Sequence, residues 1–159
     1  MTTLKPRQVA AWALVGYAGL FLVFTFFGWL LPGGTFAGRS AGAGFTALPE
    51  LALPVLAVLL ATAVEPPLSG AKLIAAVALL EYAVVLLFGA LTLLIGLGSF
   101  GHGFGPRVGF DVTSYFVLGL GRLALAVVAA LVVYRAWVRL GGTMPQVRVT
   151  MGPPAPPAR

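Results

Sequence analysis

Between Val9 and Leu31 the chain runs for 23 residues without a charged side chain. A hydrocarbon layer about 30 Å thick needs about 20 apolar residues in a helix, so this run predicts a first membrane span over 9–31. The same reading predicts three more, over 46–64, 71–97 and 111–138. The first is too long for the apolar core of a signal peptide, about 7–15 residues, so an uncleaved helix is expected despite the "AGA" at Ala41–Ala43. Trp12 and Trp29 fall near its two ends, where interfacial tryptophans sit. Runs this long and uninterrupted do not fit the short alternating strands of a membrane β-barrel.

The stretches between the runs carry the punctuation. Pro32 to Phe45, "PGGTFAGRSAGAGF", and Gly96 to Phe110, "GLGSFGHGFGPRVGF", are rich in glycine and small residues and read as loops. "EPPLSG", Glu65 to Gly70, ends the second span sharply. Thr46, Ser69 and Asp111 stand where N-caps of spans two, three and four are wanted. Pro49 fits a first helical turn, whereas Pro54 lies deeper and predicts a kink. The tail over 141–159 is Pro-rich and predicts a disordered or extended segment after a single domain over 1–140.

Composition agrees with this pattern. Of 159 residues 60% are apolar and 9% charged, with a mean hydropathy of +1.03; a soluble domain has about 25% charged residues. The expected fold is all-α, a four-helix transmembrane bundle running up-down-up-down. The net charge of +6 is scattered at span ends and forms no basic stripe with interleaved aromatics, so nucleic acid is not an expected partner. With both termini cytoplasmic, Lys5, Arg7, Lys72, Arg135, Arg139, Arg148 and Arg159 lie inside and Arg39 and Arg107 outside. Seven against two is the bias that orients multi-pass proteins in a plasma membrane. Eight arginines to two lysines, with abundant Ala, Gly and Pro, fit a GC-rich bacterial source.

Two charges fall inside the apolar runs, Glu81 in "LLEYAVVLL" and Arg122 in the last span. A charge in hydrocarbon costs on the order of 2.5–3.5 kcal/mol on insertion scales, and such residues turn toward a partner. At about 1.5 Å rise per residue, Glu81 lies about 13 Å beyond Lys72 and Arg122 about 20 Å beyond Arg135. The difference of about 6 Å leaves open a direct pair, or a bridge through water, Tyr82 or Tyr115. Each charge shares a helix face with small residues: Ala71, Ala75, Ala78 and Gly89 around Glu81, and Gly119, Ala126 and Ala130 around Arg122. Small residues let membrane helices approach closely, so both charges are expected to face another helix. Glu50 is a third candidate, at the start of span two, where the helix dipole favours an acid and the outer interface brings water.

Other chemistry is excluded by composition. The chain has no cysteine, four acids and one histidine, His102. That removes thiol redox chemistry, HExxH-type zinc sites and two-metal carboxylate sites, and a lone histidine in a Gly-rich loop makes no metal centre. No cofactor and no catalytic residue is expected. "PPAPP" at Pro153–Pro157 has the PxxP spacing of segments that dock aromatic grooves, but a solvated tail is the plainer reading. Transporters commonly add polar lining at mid-depth; Thr25, Thr62 and Thr92 are nearly all that these spans offer. The sequence therefore points to a non-enzymatic accessory or scaffold subunit, lying in the lipid bilayer and packed in a homo-oligomer or larger membrane complex. The alternative is a small oligomeric proton- or ion-coupled transporter or channel using Glu81 with Arg122.

Overall fold

The structure, a computed structural model, describes residues 6–63, 67–100 and 106–142. His102, Glu65 and the Pro-rich tail lie outside the described residues. The described residues form five helices in order: α1 Pro6–Leu30, α2 Phe36–Gly42, α3 Leu48–Thr62, α4 Ala71–Leu97 and α5 Pro106–Arg139, with a short 3-10 turn, Gly98–Phe100, after α4. No strand occurs among the described residues. Helices α1, α4 and α5 are long and apolar enough to cross a membrane; α3, at 15 residues, is shorter.

Helix α4 is the centre, packed against each of the other four helices. Its small residues make this possible: Ala71, Ala75 and Ala78 are fully buried, and Gly89 and Gly96 are buried beyond them. A Cβ on Gly96 would stand 3.0 Å from the Ala41 backbone, and one on Gly89 would stand 2.6 Å from Thr46 Cγ2. At Gly96 the backbone of α2 comes close, and at Gly89 the side chains of Thr46 and Leu123 fill the place of a Cβ. Gly19 of α1 lies beside Glu81, and Phe26 of α1 stacks edge-on to Phe88 with centroids 5.2 Å apart, so α1 and α4 run in the same direction. Leu93 meets Gly119 and Gly89 meets Leu123, so α5 runs opposite to α4.

The segment expected as a loop over 32–45 contains α2. Thr35 caps it by accepting a hydrogen bond from the Gly38 amide at 3.1 Å. Trp29 Nε1 then donates to Ser40 Oγ at 2.9 Å in a buried contact. The chain continues through a non-helical stretch, residues 43–47, into α3. Ala41 lies at Gly96, Thr46 at Gly89 and Leu51 at Tyr82, so α2, the break and α3 descend together along α4. Phe45 pins the break: it is fully buried and stacks on Phe88 at 5.4 Å.

The helix starts differ from those the sequence suggested. Residue Thr46 is not the cap of α3; Ala47 is, with no side-chain hydrogen bond and Pro49 in the first turn. Gly70 rather than Ser69 caps α4. Helix α5 begins at Pro106, so Asp111 lies exposed in its second turn; proline at the first helical position loses no hydrogen bond. Pro54 is inside α3 and buried. Lacking an N–H, it leaves the Glu50 carbonyl without its helical donor.

Three basic residues close the ends of elements. Arg7 donates to the Leu60 carbonyl at 2.6 Å and to Ala61 at 3.1 Å, satisfying the last turn of α3. Arg39 does the same for α1, donating to Trp29 at 3.1 Å and to Gly33 and Gly34 beyond it. Lys72 donates to the Gly141 carbonyl at 2.9 Å.

Candidate functional site

The candidate ionisable groups are Glu81 in α4, Glu50 in the first turn of α3 and Arg122 half-way along α5. Among the described residues no ion pair joins either acid to the arginine. The depth estimate fails because α5 is offset along α4. Arg122 stands beside Leu123, which meets Gly89, and Gly89 is eight residues, or about 12 Å, beyond Glu81. Glu81 also leaves α4 toward α1, at Gly19, and not toward α5, which carries Arg122.

Glu81 turns to α1. Its Oε1 lies 3.1 Å from where a Cβ on Gly19 would be, so that glycine makes room for the carboxyl. Glu81 is buried, and Oε2 has no hydrogen-bond partner. The carboxyl forms the floor of a groove of about 410 Å³ between α1 and α4, walled by Leu22, Phe26, Val77 and Phe88. A carboxyl in such surroundings costs several kcal/mol in either protonation state unless something meets it.

Glu50 is 1% exposed, which corrects the expectation that water reaches it at an outer interface. Leu51 lies at Tyr82, so Glu50 sits one turn below the break, next to the level of Tyr82. Both of its oxygens are buried without a partner. Beside it, the Tyr82 hydroxyl donates to the Leu51 carbonyl. The tyrosine thus supplies a donor to α3 at the turn where Pro54 breaks the ladder. The sequence left Tyr82 open as a bridge between Glu81 and Arg122; its hydroxyl serves α3 instead.

Arg122 is exposed, although Ala126 one turn later is fully buried and Gly119 one turn earlier packs on Leu93. Ala130 is half-buried. The small-residue face is therefore partly covered, with Arg122 at its open edge. The arginine lines a cavity of about 150 Å³ between the break, α4 and α5, together with Thr46, Thr92 and Tyr115. Helix α5 is the most exposed element: Phe110, Val117, Leu120, Leu125, Val128 and Leu131 all face outward.

These features define the class: an all-helical protein with three helices apolar and long enough to cross a membrane, and unpaired ionisable groups on faces of different helices. Among the described residues no three His, Cys, Asp or Glu come together as a metal site. No protein-family model matches the sequence, and no curated protein or solved structure matches it.

Proposed function

We propose that the chain is a non-enzymatic integral membrane protein of a bacterial inner membrane, an accessory or scaffold subunit that packs against a second copy or a larger membrane partner. In this reading α1, the composite of α2, break and α3, α4 and α5 are four passes, up-down-up-down, with both termini cytoplasmic. The 15 residues of α3 rise only about 22 Å, short of a hydrocarbon layer of about 30 Å; the run from Phe36 to Thr62 is long enough. The Lys and Arg distribution supports the orientation.

The observation that carries the proposal is α5. In its most apolar 18-residue window 11% of residues are buried, against 39% in α4. Helix α5 packs on α4 and α3 along one face and leaves the rest bare; lipid covers leucine and valine well, but so wide an apolar face offers a large surface for a neighbouring helix. The test uses the absence of native cysteine. Single cysteines at Val128 and Leu131, cross-linked in the native membrane, should give a discrete adduct with a second copy or one other protein. A cysteine at Leu80, on α4, should give a weaker one. Equal labelling without adducts at every position contradicts the reading.

A proton- or ion-coupled transporter using Glu81, with Arg122 balancing charge, is the second reading. What favours it is the pair of buried carboxyls without partners beside an interrupted helix, since interrupted helices recur at transport sites. In liposomes it predicts a proton or cation flux that Glu81→Gln abolishes; unchanged flux in that variant refutes it.

A further inference from the structure

The cavity beside Arg122 has a composition that the subunit reading does not use. Its side-chain hydrogen-bonding groups are of two kinds. Ser40 already donates to the Phe36 carbonyl, Thr92 donates to Phe88 at 2.7 Å, and Tyr115 donates to the Thr92 carbonyl at 3.3 Å. Arg122 and Thr46 have no such partner among the described residues. The unspent donors facing the cavity are thus five guanidinium N–H groups and one hydroxyl. Thr46 also directly precedes Ala47, the N-cap of α3, which has no side-chain cap of its own. Both uncommitted side chains here can donate, Thr46 through a hydroxyl that can also accept, and the one charged side chain lining the cavity is positive.

The cavity also has a direction. Arg122 stands at the level of Gly89, while Tyr115 and Ser40 line the same space nearer the end of α4. Gly89 is eight residues from Leu97, about 12 Å, and an arginine on α5 leans toward its own N-terminus, that is, toward the same end. The groove therefore leads from an unpaired guanidinium toward the end of the bundle.

We propose that this groove binds one phosphate-sized oxyanion, held by Arg122 and Thr46. A guanidinium presents paired donors that match two phosphate oxygens. The two available sources are the phosphate of a membrane phospholipid whose chains lie along α5 and free phosphate from solution. Glu50, one turn further along α3, is sealed from the groove, with both oxygens buried, and does not compete for Arg122.

The test is the thermal unfolding of the full chain in a neutral maltoside detergent, followed by tryptophan fluorescence. Three additions are compared: phosphatidylglycerol, diacylglycerol with the same chains, and sodium phosphate. Phosphatidylglycerol near a hundredfold excess over its Kd should raise the midpoint by about 5 °C, and diacylglycerol should not. Arg122→Gln should lose the shift and Arg122→Lys should keep part of it. Thr46→Val keeps the methyl against Gly89 and removes only the hydroxyl, so it reports on the site if Arg122→Gln fails to fold; it should reduce the shift. Sodium phosphate matching the lipid, with the same loss in the variants, assigns the site to the free anion. The proposal is overturned if neither phosphate source shifts the midpoint, or if Arg122→Gln or Thr46→Val responds like the wild type. It is equally overturned if a co-purifying protein, lost only from Arg122→Gln, is found to occupy the groove.

Discussion

Single atoms decide much of this bundle. The Tyr82 hydroxyl is the clearest case: it reaches from α4 to a carbonyl of α3 in surroundings where no water competes. Tyr82→Phe keeps the ring and removes the donor, so it should destabilise by about 1–2 kcal/mol, read as an earlier midpoint in sodium dodecyl sulfate titrations from mild detergent. An unchanged midpoint would mean that the bond contributes nothing. The glycines make a sharper comparison. Gly96→Ala pushes a methyl onto the Ala41 backbone and the Tyr115 hydroxyl, whereas Gly16→Ala meets nothing within 4 Å. The first should cost about 1–3 kcal/mol and the second nothing measurable, by the same titration. The charged residues were legible as exceptions in the sequence because few charges occur in such runs. Whether they pair was not legible, because pairing depends on the offset between helices, and a slip of about one turn between α4 and α5 is invisible in either sequence run.

At the scale of elements, the segment from residue 32 to the end of α3 is where pattern and structure part. Apolar content located α1, α4 and α5 to within a few residues, since length and hydropathy alone decide those. The Gly-rich residues 32–45 carry no such signal, and their order comes from contacts distant in sequence: Trp29 to Ser40, Arg39 to the end of α1, and Phe45 between Trp29 and Phe88. Sequence could have flagged Phe45 as the one large apolar residue closing a small-residue stretch, but not its stacking partner. Ser40→Ala leaves the Trp29 N–H buried without an acceptor. It should cost about 1–3 kcal/mol and loosen α2 selectively, seen as faster amide hydrogen exchange over 36–47 with little change in α4. Uniform acceleration across all helices would contradict a local role for this contact.

For the whole molecule, the faces say more than the core. The core gathers the small residues of α4 with a few large ones, Phe45, Ile74 and Tyr82, whereas α5 is an open apolar surface that one copy leaves uncovered. In lipid, packing rather than water expulsion drives helices together, so a helix that packs on one face and leaves the other bare gains from neighbours in another chain. The central claim is that this chain works as a subunit. The most direct test is the mass of the particle extracted from its native membrane in a polymer-bounded lipid disc. The account predicts a particle containing a second copy or one other protein at fixed stoichiometry, well above the 16.4 kDa of one chain. A particle holding one chain of 16.4 kDa and lipid alone, at native expression level, would contradict it.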